Sequence, residues 1–154
     1  MNDAERDLLV KISLFSSFSE DELAAISTFM SPLVVEKDKT VFEEGESGDY
    51  VCFVLDGRLD VYKKTWKGEG FIINTLSRGQ SFGEISFLEN TPRSATLKAS
   101  EKTTYVTLKR KDFNSILEEH PKIGCKILKG LCGLLIKKLR TTSSRLIDYM
   151  SKHP

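Results

Sequence analysis

The 154-residue sequence predicts a mainly β fold with flanking helices: an antiparallel β roll of the jelly-roll kind set between an N-terminal helix and a long C-terminal helix. Three observations carry this. Between Leu33 and Leu108, short β-branched and aromatic runs alternate with turn residues at close spacing, the pattern of an all-β roll or barrel. Ser19-Glu-Asp-Glu22 is a capping box ahead of apolar residues at helical spacing. After Pro121 a helical periodicity continues to about Met150.

Each element follows from local chemistry. Leu23, Ile26, Phe29 and Met30 recur at helical spacing behind the capping box, so a helix covers roughly residues 20 to 30. Strands are expected at 33–35, 40–42, 50–55, 58–63, 71–76, 94–99 and 103–108. Asp56-Gly57 reads as a tight hairpin signal, and Lys67-Gly-Glu-Gly70 as a longer loop. A helix over 111–119 precedes His120-Pro121, where proline at a first helical position starts another. The chain therefore reads as one domain over 1–154, with the β roll at about 33–108 and a helical segment at about 111–150.

Within the last helix Leu128, Cys132, Leu135, Leu139, Thr142, Leu146 and Tyr149 alternate at spacings of four and three, a coiled-coil seam. Two readings stand: a homodimer through this helix, or a stripe packed on the chain's own β roll. Gly130 and Gly133 each cost about 1 kcal/mol in a helix interior, which leaves open a hinge or break there.

Charge is uneven along the chain although the net charge is only +1. Residues 1–60 carry 14 acidic against 5 basic side chains, and residues 122–154 carry 8 basic against 1 acidic. The basic end is either a solvated helix face or a docking surface for an acidic partner, nucleic acid or membrane. Cys52, Cys125 and Cys132 form no CxxC pair and read as buried free thiols in a reducing compartment. The N-terminus is unlike a signal peptide and no apolar run is long enough to span a bilayer, so a cytoplasmic protein is expected.

Catalysis is not expected. The two histidines, His120 and His153, lie outside the strands, so a metal-binding β roll lacks its ligands and no metal is expected. No nucleophile elbow, Walker loop or zinc motif is present, and no serine or threonine has a histidine partner at a plausible site.

The segment from Gly83 to Thr96 carries the chemistry. A short helix beginning at Gly83-Glu84 would aim backbone N–H groups at an anion, and Arg93 would add a planar, permanently charged fork. Together they describe a sugar-phosphate pocket, with Glu84 suited to a ribose hydroxyl. Gly83-Glu84-Ile85-Ser86-Phe87-Leu88, followed by Arg93-Ser94-Ala95-Thr96, resembles the phosphate-binding cassette of the cyclic-nucleotide-binding domain family. Leu14 to Leu23 resembles the entry helix of these domains, the Phe42-x-x-Gly45-Glu46-x-Gly48-Asp49 segment with Phe53-Val-Leu-x-x-Gly57 their glycine-punctuated strand-turn-strand, and Gly79-Gln-Ser-Phe-Gly83-Glu84 the approach into the cassette; the likeness covers about residues 13 to 145. Gly45, Gly48 and Gly57 read as scaffold glycines of turns.

The resemblance implies a sensor of cyclic AMP or cyclic GMP. In that frame Arg93 pairs with the cyclic phosphate, Glu84 accepts from the ribose 2′-hydroxyl, and backbone amides around Ile85 and Ser86 cap the phosphate. Ser94 touches the phosphate or reaches a guanine, so it permits either nucleotide. Leu139-Arg-Thr-Thr142-Ser143 resembles the dimer-helix segment of the bacterial catabolite activator, in which adjacent Thr and Ser meet adenine; Thr142 and Ser143 lean toward cyclic AMP. The spacing from Pro121 to Thr142 is longer here than in that activator. Transcription factors of this type continue into a helix-turn-helix, and kinase regulatory subunits carry a second cassette. Neither is in these 154 residues, so nucleic-acid binding is not expected, and the chain reads as a standalone sensor or a piece of something longer with an unidentified effector protein. A module that has kept the fold and lost its ligand, or the sensor half of a regulator without its DNA-binding part, are the alternatives.

Overall fold

The computed structural model describes residues 1–154. Helix α1 (Asp3–Val10) leads through a 3-10 turn (Ser13–Phe15) into α2 (Glu20–Ser27). The strands β1 (Met30–Val35), β2 (Thr40–Phe42), β3 (Tyr50–Asp56), β4 (Leu59–Lys64), β5 (Gly70–Leu76) and β6 (Ser81–Phe82) follow. Helix α3 (Glu84–Glu89) interrupts them before β7 (Thr96–Ala99) and β8 (Thr103–Lys109), and α4 (Arg110–Glu119) and α5 (Pro121–Lys152) close the chain. No helix is long and apolar enough to cross a membrane.

The strands form two four-stranded antiparallel sheets, ordered β1-β8-β3-β6 and β2-β7-β4-β5. Strand β3 explains how they are joined. Its residues alternate between faces: Val51, Phe53 and Leu55 enter a core shared with α1, α2, α4 and α5, while Cys52 and Val54 enter a second core between the sheets with Leu59, Leu76 and Leu97. A strand buried on both sides has to be apolar throughout, which is why Val51 to Leu55 reads as one continuous run.

Asp56-Gly57 is not the tight hairpin its sequence suggests. β3 and β4 lie in different sheets, and Gly57 is the corner where the chain crosses between them. At φ 95° a Cβ there would overlap the Lys102 carbonyl and the Thr103 hydroxyl. That hydroxyl accepts from Arg58 N–H at 2.9 Å and donates to Arg58 C=O at 3.0 Å, so the corner is clamped by β8 rather than by a neighbouring strand.

Helix α2 begins as expected: Ser19 Oγ accepts from Glu22 N–H and Glu22 Oε2 accepts from Ser19 N–H. It ends at Ser27, and Met30 belongs to β1, so strand pairing with Leu108 wins over the helical spacing. Strand β7 starts at Thr96, two residues later than expected, because Ser94 and Ala95 still belong to the cassette loop. Helix α1 was not anticipated; its own capping box, Asn2 with Glu5, is present.

Helix α5 is one unbroken element of 32 residues, which settles the question at Gly130 and Gly133 against a break. Gly130 is needed because a Cβ there would overlap the Leu14 side chain, whereas Gly133 faces open space. The face that packs on the roll carries Ile123, Ile127 and Leu131, with Leu128 of the seam partly buried beside them, and Leu135 of the seam lines the cassette cavity. Cys132 lies on the outside, as does Cys125, and both are exposed; only Cys52 is a buried thiol. Toward its end the seam is largely exposed, with Leu139 68%, Leu146 57% and Tyr149 62% exposed.

Candidate functional site

The cassette sits between the two cores. Gly83 at φ 91° turns β6 into α3, a conformation natural to glycine. The first intrahelical bond is Phe87 N–H to Gly83 C=O, so the amides of Glu84, Ile85 and Ser86 lie in the turn whose N–H groups have no helical acceptor. Asn90 in the left-handed region ends the helix, and the chain returns through Pro92, whose carbonyl accepts from the Ser86 hydroxyl at 3.2 Å. Ser86 thus closes the loop with its side chain and offers the pocket only its backbone.

Arg93 is the unusual group. It is 2% exposed, makes no salt bridge, and its Nε and Nη2 have no hydrogen-bond partner. Its Nη1 donates to Tyr50 C=O at 2.8 Å. The guanidinium carbon lies 4.1 and 4.3 Å from the ring centroids of Phe42 and Tyr50, two rings set nearly edge to face, an arrangement that stabilises a cation without neutralising it. Each buried N–H left without an acceptor costs about 1–3 kcal/mol. The slot is made by glycine on both sides: a Cβ on Gly48 would overlap Arg93 Nε, and one on Gly83 would overlap Nη1. Gly48, expected to be scaffold only, is a wall of the site.

Glu84, 4% exposed, faces the same cavity. Its Oε1 accepts from the Ser81 hydroxyl and from Lys138 Nζ, the latter at 2.7 Å. Lys138 comes from α5 and also donates to Ser81 C=O. The last helix is thereby fastened across the cassette. Oε2 of Glu84 has no partner and remains an acceptor for a hydroxyl.

The cavity between these groups is about 260 Å³ and is lined by Gly83, Glu84, Ile85, Ser86, Arg93 and Ser94, with Leu135, Lys138, Leu139 and Thr142 of α5 opposite. Of the sequence-derived residues, all but Ser143 are brought together here. Ser143 is exposed and lines neither this cavity nor the larger one beside it. Ser94 is exposed at the rim, with its carbonyl taken by Lys63.

Two contributors were missed. Lys138 stands four residues before Thr142, one helical turn away on the same face, which is the only sequence signal it offers. Arg110, at the start of α4, donates to Phe87 C=O, Asn90 Oδ1 and Gly48 C=O, each at 2.9 Å, and to Ser86 C=O at 2.6 Å. It ties the end of α3 and the Gly48 wall to the first turn of α4, so the cassette and the C-terminal helices share one anchor. No sequence pattern marks it, because every acceptor is main chain or distant in sequence.

Comparison with known proteins agrees with this geometry. The chain is 35% identical over 104 residues to a cGMP-dependent protein kinase of Plasmodium berghei, a match covering 68% of this chain and 12% of the kinase. It is 23% identical over 142 residues to a CRP-like cAMP-activated global transcriptional regulator of Mycobacterium tuberculosis, covering 92% of this chain and 62% of the regulator. The chain thus spans less than two thirds of the length of either. Its fold superposes with a TM-score of 0.86 and 30% identity on a cyclic nucleotide-binding domain from Methylobacillus flagellatus, covering 95% of this chain and 83% of that one. The regulatory domain of Toxoplasma gondii PKA with cAMP gives a TM-score of 0.67 at 28% identity, over 75% of this chain and 46% of that one. The cyclic nucleotide-binding domain model matches residues 32–120, a span that contains the whole Gly83–Arg93 cassette, and the chain belongs to that family.

Proposed function

We propose that this chain is a sensor of a 3′,5′-cyclic purine nucleotide that signals through its C-terminal helix. The observation that carries this is Arg93, a buried guanidinium with two unpartnered N–H donors and no carboxylate beside it. A fold tolerates such a group where an anion completes it. A cyclic phosphate would take those donors and the amides of Ile85 and Ser86, and the ribose 2′-hydroxyl would donate to Glu84. Ser94 stands at the phosphate rim and Thr142 faces the base from α5. Both the kinase and the regulator among the relatives are named for cyclic nucleotides, which supports the ligand class and leaves the purine open between cyclic AMP and cyclic GMP.

Calorimetric titration with both nucleotides, beside Arg93→Ala, tests the reading. Removing a charge-assisted contact should cost roughly 1.5–3 kcal/mol, about ten- to a hundredfold in affinity. Unchanged affinity in the variant would remove Arg93 from the site, and no binding of either nucleotide would leave a degenerate interaction module.

The ligand would act on α5, which already touches the cassette through Lys138. A conformational response requires that the ligand bind one placement of that helix more tightly than another. The open seam from Leu139 to Tyr149 supports a homodimer through α5, and sedimentation of Leu146→Glu beside the unaltered chain tests it: a dimer that becomes a monomer is expected. The three unpaired cysteines support placing this sensor in the cytoplasm.

A further inference from the structure

The pocket that holds Arg93 and Glu84 adjoins a second, larger cavity of about 550 Å³; Phe82, Lys138 and Thr142 line both. A cyclic nucleotide seated with its phosphate on Arg93 and its ribose on Glu84 would direct its base past these three residues into that chamber. The inference below rests on that seating, and concerns which purine the chamber accepts.

The charged lining of the chamber has one sign. Lys11, Arg78, Lys137, Lys138 and Arg145 face it, and no aspartate or glutamate does. Adenine and guanine differ at C6: adenine carries an amino donor next to the N7 acceptor, whereas guanine carries a carbonyl acceptor next to N7. A wall of donors complements the O6/N7 edge of guanine and meets the adenine amino group donor to donor.

Two of the five cations are already committed. Lys138 is paired with Glu84, and Arg78 is held by Asp56 Oδ1 and Leu55 C=O. Lys11, Lys137 and Arg145 are all exposed, but the first two are ammonium groups on flexible stems, whereas Arg145 carries a planar fork. It follows Thr142 by three residues, so it lies on the same face of α5 about one turn further along. Its Nη1 donates to Ile73 C=O on β5 at 3.3 Å, its one hydrogen bond to protein. That contact fixes one edge of the planar fork against the β wall of the chamber, next to Asn74, and leaves the other N–H donors free.

A fork of this kind donating to O6 and N7 together is the commonest side-chain readout of guanine. The other polar groups along the path do not choose: a threonine hydroxyl and an asparagine amide each donate and accept, so Thr142 and Asn74 suit either base. We propose that Arg145 reads the base and that the preferred ligand is a cyclic nucleotide with a 6-oxo purine, cyclic GMP rather than cyclic AMP.

Calorimetric titration of the full chain with cyclic GMP, cyclic IMP and cyclic AMP tests this. Cyclic IMP presents O6 and N7 without the 2-amino group, so it isolates the edge that Arg145 would read. Cyclic GMP and cyclic IMP should bind alike and roughly tenfold or more tighter than cyclic AMP. Arg145→Ala should bring both down to the level of cyclic AMP. Arg145→Gln, whose amide matches adenine N6 and N7, should move the preference toward cyclic AMP. The assignment is overturned if cyclic AMP binds as tightly as cyclic GMP, or if the gap survives in Arg145→Ala. It is also overturned if cyclic GMP binds tightly and cyclic IMP does not, which would put the readout on the 2-amino group. Failure of all three nucleotides to bind a chain shown by circular dichroism to be folded would instead overturn the nucleotide reading itself.

Discussion

Lys138 Nζ lies 2.7 Å from Glu84 Oε1, joining the last helix to the cassette across 54 residues of sequence. Glu84 is almost wholly buried, whereas Lys138 keeps about a third of its side chain in solvent. Lys138→Met would leave a buried carboxylate with only the Ser81 hydroxyl. The ligand-free domain should lose about 1–3 kcal/mol, toward the lower end because water partly screens the pair. Glu84→Gln in the same background should recover part of that loss, since no charge is then stranded. Denaturant titration of the two single variants and the double variant reads this directly, and strictly additive losses would show that the pair is not coupled. Hydrogen exchange beyond residue 138 should quicken in Lys138→Met, because this contact holds that part of α5 to the roll.

Arg93 sets stability against function. Its contacts with the two rings and its bond to Tyr50 C=O favour the fold, while two buried donors without acceptors oppose it. These contributions are each of order 1–3 kcal/mol and of opposite sign. Arg93→Met, which fills the slot without a charge, should therefore unfold within about 1 kcal/mol of the parent or above it while losing nucleotide binding. A melting temperature that collapses in this variant would mean the guanidinium is structural and not held ready for an anion.

The parts of this molecule that could be read from sequence are those whose physics is local. The Ser19–Glu22 capping box, the double-sided run of β3 and the Gly83-Glu84 turn each state their own geometry within a few residues. The Asn2–Glu5 box at the head of α1 was equally local and was overlooked. What could not be read depends on contacts between distant segments. Gly57 looks like a hairpin residue until β4 is seen to join the other sheet, and Gly48 looks like a turn residue until Arg93 is placed against it. Cys125 and Cys132 looked buried because α5 carries two apolar stripes, and only packing shows that Ile123, Ile127 and Leu131 form the inner one. Thr142 and Ser143 leaned toward cyclic AMP as a pair, yet the helix presents only Thr142 to the cavities and places Arg145 beyond it.

The three thiols should react in two classes. Burial, with the Glu84 carboxylate adding to it, pushes Cys52 up to about 12, so at mildly alkaline pH it is both inaccessible and protonated; only the thiolate attacks an alkylating agent. Cys125 and Cys132 are exposed on α5. Iodoacetamide followed by peptide mapping should label Cys125 in the folded chain, and Cys52 only after denaturant is added. Labelling of Cys52 under native conditions would contradict a closed core between the sheets. If two copies associate through the seam, Cys132 should be shielded in the parent and become reactive in Leu146→Glu.

Acid should loosen the tie between α2 and α5. Glu22 accepts from Lys126 Nζ at 2.7 Å and from Ser19 N–H at 3.0 Å; the lysine contact first, then the backbone bond, hold its carboxyl below the ordinary value of 4.5. A carboxylate whose folded value is lowered contributes stability that is fully present above its unfolded value and is lost as pH falls through the folded one. The contribution of Glu22 should thus be intact at neutral pH and disappear below about 4.5. Because the pair is open to solvent, it should also shrink with added salt. Melting temperatures of the parent and of Glu22→Gln, followed from neutral pH down through that range, should converge as the acid limit is reached, and parallel curves would mean that Glu22 titrates alike in the folded and unfolded chain.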